Sequence, residues 1–105
     1  MRFLREESNV RKGKTMAIVA KFDVRNMSAE KYDEVIRRLE SAGAGAPPGR
    51  LYHVAYGAPD NLQVIDLYDS PNSLETFGRT LMPILQELGI EARPEVQQLH
   101  KTIAG

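Results

Sequence analysis

Three side chains that could do chemistry lie in two neighbouring β-rich segments of this sequence. His53 belongs to the first segment, and Asp66 and Tyr68 belong to the second. If the segments form a hairpin whose turn is centred on Pro59 and Asp60, His53 lies directly opposite Asp66. A carboxylate beside an imidazole fixes the tautomer of the ring, as in a general base. Tyr68 could then bind or protonate an enolate-like oxygen, so we predict that these three residues are catalytic.

Two further polar residues near the end of the chain could complete such a site. Gln98 and His100 alternate in a segment that is typical of a last strand, and we predict that both bind a ligand. The His53–Asp66 pair also has a purely structural interpretation, as a hydrogen bond in a half-buried interface. A tyrosine such as Tyr68 often only packs, with its hydroxyl bonded to a neighbour.

The metal chemistry open to this chain is narrow. It contains no cysteine, which excludes disulfides, zinc–thiolate sites, iron–sulfur clusters and cysteine nucleophiles. His53, His100 and Asp66 are of the types that form a two-histidine, one-carboxylate site for non-haem iron. Three residues of suitable type are a thin basis for such a site. The sequence therefore predicts no metal and no cofactor.

The elements that must position these residues alternate between strand and helix patterns. Runs rich in β-branched and aromatic residues predict four strands, one starting near Met16 and the others at about Leu51–Tyr56, Leu62–Tyr68 and Pro94–Ile103. Helical periodicity separates the first strand from the second and the third from the fourth. The order βαββαβ predicts one α+β domain with an antiparallel sheet, because 105 residues have room for one hydrophobic core.

Both predicted helices carry start and stop signals. Ser28 is the expected N-cap of the first helix, and Ser70 followed by Pro71 begins the second. The apolar stripe of the first helix consists of Tyr32, Val35, Ile36 and Leu39. Pro83 is predicted to kink or split the second helix, because its ring removes a hydrogen bond and clashes one turn back. Gly89 then indicates a C-terminal cap.

The charge distribution separates a leader from the folded part of the chain. Residues 1–15 show neither helical nor strand periodicity and are predicted to be a disordered basic leader, which leaves residues 16–105 as the domain. The leader carries five basic and two acidic residues, and the remainder carries nine basic and twelve acidic residues. A mildly acidic domain lacks the basic face that nucleic acids require. No apolar run approaches the roughly 20 residues that span a bilayer. We therefore expect no nucleic-acid partner, no membrane partner and a cytoplasmic location.

Strand alternation predicts two different faces of the sheet. An almost wholly apolar set is predicted to contact the helices: Ile18, Ala20, Phe22, Val24, Tyr52, Val54, Tyr56, Ile65 and Leu67. The opposite set is amphipathic and contains His53, Asp66, Tyr68, Val19, Leu51, Val64 and Val96. This second set is too apolar for a face in contact with water. We therefore expect a second copy of the chain to cover it in a homodimer.

The strand order and several segments resemble the dimeric α/β-barrel superfamily, which has a ferredoxin-like fold. The segments are Gly49-Arg-Leu-Tyr-His-Val-Ala, Val64-Ile-Asp-Leu-Tyr-Asp-Ser70 and Phe77…Leu81-Met-Pro-Ile-Leu85…Gly89. The likeness is closest to short uncharacterised bacterial members, and looser to the antibiotic-biosynthesis-monooxygenase and stress-responsive barrel families. It implies that two open sheets close face to face into a dimeric α+β barrel, with a pocket between each sheet and its helices or within the barrel.

Two functions from different classes are compatible with these features. In the first, a small homodimeric protein binds a small, partly apolar molecule in its pocket and acts as a cofactor-independent oxygenase or an isomerase-like enzyme. In the second, it is a non-catalytic homodimeric domain with a structural or ligand-binding role. A cavity of a few hundred cubic ångströms reached by the polar residues would favour the first function, and a filled interface would favour the second.

Overall fold

A computed structural model of the protein describes residues 16–105, so the predicted leader lies outside the described residues. The elements follow in the order β1 (Ile18–Arg25), α1 (Ala29–Ser41), β2 (Arg50–Tyr56), β3 (Gln63–Tyr68), α2 (Pro71–Glu87) and β4 (Glu91–Gln98). The strands form one antiparallel sheet in the order β2-β3-β1-β4. The apolar sides of both helices pack against one face of this sheet. The predicted α+β fold with βαββαβ order is confirmed.

Both helices begin where the sequence predicts. The hydroxyl of Ser28 accepts a hydrogen bond from the backbone N–H of Lys31 at 3.2 Å. Ser70 accepts from the N–H of Ser73 at the same distance, with Pro71 at the first helical position. Each cap satisfies one of the N–H groups that the first turn of a helix leaves without a partner.

The second helix remains continuous through its proline. Pro83 lies inside α2, which runs without a break from Pro71 to Glu87, so the predicted split is wrong. Ile90 and Gly89 then close the helix by donating to the carbonyls of Leu85 and Gln86 at 2.9 and 3.1 Å. This pair of hydrogen bonds requires a positive φ at the residue that follows the helix end, and Gly89 has a φ of 71°.

The last strand lies earlier in the chain than predicted. The expected range was about Pro94–Ile103, whereas β4 covers Glu91–Gln98. The helix cap ends at Ile90, and the chain pairs with β1 immediately afterwards. After Gln98 only the N–H of Leu99 continues the ladder, to the carbonyl of Ala17 at 2.9 Å. The residues beyond Leu99 therefore belong to no strand.

The two faces of the sheet differ from the prediction on β2 and β3. The covered face, which contacts the helices, consists of Ile18, Ala20, Phe22, Val24, His53, Ala55, Val64, Asp66 and Tyr68. The open face, which contacts neither helix, consists of Val19, Lys21, Asp23, Tyr52, Val54, Tyr56, Ile65 and Leu67. The predicted positions on β1 are right and those on β2 and β3 are reversed. The reason is the β1–β3 register, which pairs Ala20 with Asp66 and thus places both on one face.

Two residues that were predicted on the dimer face lie on the other side of the sheet. Val64 is buried beneath the helices, and Val96 pairs with Ala20 and so shares the side of the covered face. Val19 does lie on the open face. In the described part of the chain, no helix is long and apolar enough to cross a membrane.

Candidate functional site

The predicted cross-strand pair forms the centre of a buried polar cluster. His53 lies directly opposite Asp66 in the β2–β3 ladder, as predicted. One carboxylate oxygen of Asp66, Oδ1, lies 2.6 Å from Nδ1 of His53, and the other, Oδ2, accepts the hydroxyl of Tyr68 at 2.8 Å. Asp66 is 2% exposed and Tyr68 is fully buried. The structure therefore brings all three predicted catalytic residues together, on the covered face.

A fourth residue extends this cluster to the first helix. The hydroxyl of Tyr32 lies 2.8 Å from Nε2 of His53, and the two rings are almost parallel, at 7°. Because a carboxylate can only accept, Nδ1 of His53 carries the ring proton and Nε2 accepts from Tyr32. The groups thus follow one another as hydroxyl, imidazole and carboxylate, the order found in catalytic triads with serine.

Tyr32 was missed as a site residue by the sequence analysis, which placed it only in the apolar stripe of the helix. One signal was present, since a tyrosine in such a stripe needs a partner for its hydroxyl when it is buried. That partner lies 21 positions away in β2, and the spacing between α1 and β2 does not reveal it.

A β-bulge in β2 brings an arginine to the same face. Arg50 pairs with Tyr68, and Tyr52 pairs with the residue before it, so that Leu51 is an extra residue. In a regular strand, positions three apart point to opposite faces. Because of the bulge, both Arg50 and His53 line the cavity on the covered face.

The polar cluster opens onto a small cavity between the sheet and the helices. The cavity has a volume of about 50 Å³, and its wall is mostly apolar, with Arg50, Tyr32, His53 and Asp66 as the polar members. A space of this size holds a few water molecules and is smaller than the roughly 300 Å³ at which ligand pockets usually begin. By volume alone the cavity resembles a packed interior, and the buried polar cluster is the feature that favours a site.

Burial and charge raise the pKa of both tyrosines of the cluster. The pKa of Tyr68 lies well above its ordinary value, first because the hydroxyl is buried and second because the Asp66 charge opposes a phenolate. The pKa of Tyr32 is raised mainly by burial, and the nearby Arg50 charge acts in the opposite direction. Both tyrosines are therefore neutral hydrogen-bond donors at ordinary pH.

The two predicted ligand-binding residues do not join this cluster. Gln98 ends β4 and is exposed, and His100 lies beyond the strand and is also exposed. Neither residue lines the cavity. The metal set considered above, which needed His100 beside His53 and Asp66, is not assembled, and residues 16–105 contain no cluster of three histidine or acidic residues that could hold a metal ion.

Comparisons with known proteins agree with this fold. No family model and no curated protein matches the sequence. Among solved structures, SnoaB, a cofactor-independent oxygenase from Streptomyces nogalater, is 13% identical, with a TM-score of 0.56 over 86% of this chain and 97% of its own. A protein from Deinococcus radiodurans, provisionally described as an antibiotic biosynthesis monooxygenase, is 12% identical, with a TM-score of 0.57 over 85% and 97% of the two chains.

A third similar structure has no assigned activity. It is a protein of unknown function from Nitrosomonas europaea, 14% identical, with a TM-score of 0.55 over 86% of this chain and 95% of that one. Likeness at such identities concerns the fold. It supports the ferredoxin-like fold and the resemblance to antibiotic-biosynthesis-monooxygenase structures that the sequence suggested.

Proposed function

We propose that the protein is a small acid–base enzyme that removes a proton from a small, partly apolar molecule held between the sheet and the helices. The observation that carries this proposal is the unbroken hydrogen-bonded sequence Tyr32–His53–Asp66–Tyr68, which ends at the cavity. Buried polar groups are costly unless each finds a partner. An apolar cavity with one ordered proton-transfer path at its wall is typical of a catalytic pocket.

The order of the groups supports a definite direction of proton transfer. The hydroxyl of Tyr32 accepts a proton from the substrate as its own proton passes to Nε2 of His53. The ring becomes an imidazolium, which the Asp66 carboxylate stabilises from the opposite nitrogen. Tyr68 satisfies the second oxygen of Asp66, so the carboxylate stays oriented toward the ring.

Proton removal is the first step shared by the two activities that the sequence suggested. A carbanion or enolate either takes the proton back at another carbon, as in isomerases, or reacts with dioxygen, as in a cofactor-independent oxygenase. A likeness to SnoaB supports the second course only through the fold. Because the cavity holds only a few water molecules, this proposal requires side chains at its wall, such as the partly buried Ile36 and Leu81, to move when a substrate binds.

We further propose that two copies of the chain associate through the open face. Tyr52, Val54 and Tyr56 on this face are 54%, 48% and 40% exposed, a density of apolar surface that usually marks an interface. Its charges are balanced in sign, because Lys21 lies opposite Glu95 and Asp23 lies opposite Arg93 in the β1–β4 ladder. The resemblance to dimeric barrels supports a second copy as the occupant. The cytoplasmic location expected from the sequence stays a prediction.

Deuterium exchange into a simple carbon acid tests the acid–base proposal. We expect the wild-type protein to accelerate exchange at the carbon beside the carbonyl of β-tetralone in D₂O, followed by proton NMR. Tyr32→Phe removes only the hydroxyl and should lower this rate at least about a hundredfold, the usual contribution of a general base. Tyr52→Phe removes a hydroxyl on the open face, away from the cavity, keeps the aromatic ring that the proposed dimer would cover, and serves as the matched control.

The same experiment decides between the proposed function and the non-catalytic homodimer. Equal exchange with wild type, Tyr32→Phe and no protein would contradict acid–base catalysis and would favour a structural role for the cluster. A rate that falls equally in Tyr32→Phe and Tyr52→Phe would contradict the assigned path. Circular dichroism of each variant confirms that a lost rate does not come from unfolding.

A further inference from the structure

We propose that Arg50 holds an oxygen anion of the bound molecule, so that the substrate is a neutral enol-, phenol- or ketone-type acid whose conjugate base carries its charge on oxygen. This inference rests on the proposed function and names the substrate class of the same site. The proton-transfer path proposed above, which runs through Tyr32, His53 and Asp66, does not include Arg50. Its position at the cavity beside Tyr32 and His53 follows from the β-bulge.

Among residues 16–105, Arg50 makes one side-chain hydrogen bond, which uses one of its donors. One terminal nitrogen donates to the carbonyl of Gly45 at 3.2 Å, and the guanidinium carbon lies 5.7 Å from the centre of the Phe77 ring. A guanidinium has five N–H donors. Within residues 16–105, no carboxylate lies within ion-pair distance of Arg50. A half-buried arginine at an apolar cavity without an acidic partner is therefore suited to an external anion.

The charge of Arg50 acts on both tyrosines at the ends of the hydrogen-bonded cluster, Tyr32 and Tyr68. It acts to lower the pKa of Tyr32 and that of Tyr68, in opposition to their burial. A positive field that favours a phenolate at these positions also favours a phenolate or enolate on a ligand beside them. The carbonyl or hydroxyl oxygen of the substrate is thus expected to point at Arg50, with the acidic proton toward Tyr32.

The balance of charges during the reaction supports this assignment. Before transfer, Asp66 is negative, Arg50 is positive, and His53 and the substrate are neutral. Transfer breaks the substrate C–H or O–H bond and forms an N–H bond at His53, giving an imidazolium and a substrate anion. Asp66 then pairs with the imidazolium, and Arg50 pairs with the anion. No charge is left unpaired in the low-dielectric interior, where an isolated charge is costly.

A purely structural role for Arg50 is the main rival. Stacking on Phe77 and the bond to Gly45 would hold the loop before β2 against α2. This role explains one donor and one ring face. It does not explain why the bulge places Arg50 among the residues that line the cavity, since a regular strand would place Arg50 on the face opposite His53.

Two probes that differ by one hydroxyl group test the inference with the full-length protein. para-Nitrophenol changes its visible absorbance when it ionises, and nitrobenzene lacks the hydroxyl. We expect wild-type protein to bind para-nitrophenol as the phenolate and to shift its ionisation toward lower pH. Arg50→Gln should weaken phenolate binding at least about tenfold, the effect of one lost charge-assisted hydrogen bond, and leave nitrobenzene affinity unchanged. Arg50→Lys keeps the charge and should restore part of the effect.

Arg79→Gln removes an exposed arginine of α2 and should leave both affinities unchanged. An Arg50→Gln variant that binds phenolate as well as wild type, or that loses both probes equally, would overturn the inference. The absence of phenolate binding to wild type would also overturn it. If Arg50→Gln retains phenolate binding while Tyr32→Phe abolishes deuterium exchange, the role of Arg50 is contradicted and the proposed acid–base function stands. If Arg50→Gln selectively loses phenolate binding but the wild type shows no exchange, the acid–base function is contradicted and the anion-binding role of Arg50 stands.

Discussion

The two faces of the sheet are built from alternate residues of the same strands, and they differ in whether their polar side chains are buried or exposed. On the covered face, Asp66 and His53 are enclosed and bond to each other and to two tyrosines. On the open face, Lys21 and Asp23 are exposed, and their ladder partners on β4 carry the opposite charges. The covered face thus isolates a few polar groups in a specific order, whereas the open face spreads balanced charges among apolar residues.

This difference predicts how each face responds to substitution of its polar residues. A buried carboxylate must have its oxygens bonded, and each partner must itself be positioned, so the covered cluster tolerates little change. The exposed charges of the open face are solvated and tolerate substitution until another surface covers them. The comparison can be tested by equal substitutions on the two faces.

The largest expected effect is on stability, in a comparison of two aspartates. Asp66→Ala leaves the buried hydroxyl of Tyr68 and the Nδ1–H of His53 without acceptors, and should lower the free energy of unfolding by about 3 kcal/mol. Asp23→Ala removes an exposed carboxylate, 3.9 Å from Arg25, and should change the free energy of unfolding of the dissociated monomer by at most about 0.5 kcal/mol. Urea unfolding followed by circular dichroism measures both. Similar values for the two variants would remove the distinction between the faces.

The next effect concerns association and uses two valines of nearly equal exposure. Val54 on the open face is 48% exposed, and Val96 on β4, on the side of the covered face, is 45% exposed. Val54→Asp should weaken the proposed dimer at least about a hundredfold, because an unpaired charge would be buried in the interface. Val96→Asp should leave association close to that of wild type.

Sedimentation equilibrium of the wild type and both variants checks this expectation. A wild-type monomer at micromolar concentration would contradict the proposed dimer outright. Dissociation by Val96→Asp but not by Val54→Asp would assign the interface to the other side of the sheet. The result therefore sharpens the comparison of faces whichever variant dissociates.

The element order and the His53–Asp66 pairing were predictable from the sequence, whereas the facing of β2 and β3 was not. Capping residues, helical periodicity and turn residues are local signals, and the hairpin register follows from the turn. The face that contacts the helices is predicted as the more apolar of the two alternate sets of residues, and in β2 and β3 both sets contain apolar residues. Tyr52 and Val54 outweigh His53 in such a comparison. Asp66 can be buried because His53 and Tyr68 bond its two oxygens, and the second ring nitrogen of His53 is bonded by Tyr32 on another element.

The remaining errors have similar causes. The bulge at Leu51 has no sequence signal here, because the residue is neither glycine nor proline. β4 was placed too late because Pro94 was taken as its start, although the proline lies within the strand. β4 is at the edge of the sheet, where a proline without a donor is tolerated. The misplaced strand in turn brought His100 into the predicted site, whereas Gln98 does belong to β4 but is exposed at its end.

The smallest expected effect is a difference in the pH dependence of stability between Tyr68→Phe and Tyr52→Phe. Tyr68→Phe removes one buried hydrogen bond to Asp66 and should cost about 1 kcal/mol at neutral pH. Because burial raises the pKa of Tyr68, the folded protein keeps this proton when the unfolded chain, with a tyrosine pKa of about 10, releases it. The stabilisation by Tyr68 is thus complete below about pH 10 and is lost progressively above it.

Denaturant unfolding between neutral pH and about pH 11 measures this difference. Other groups also titrate there, so the informative quantity is the difference in unfolding free energy between wild type and each variant. For Tyr68→Phe that difference should shrink as the pH rises above about 10, because only the wild type loses stability through this residue. Tyr52→Phe removes an exposed hydroxyl that is not bonded to Asp66, and it is the control for effects that any tyrosine-to-phenylalanine change would have. If the two variants follow parallel curves, the hydroxyl of Tyr68 is not held as a buried donor to Asp66, and the covered face loses the feature that separates it from the open one.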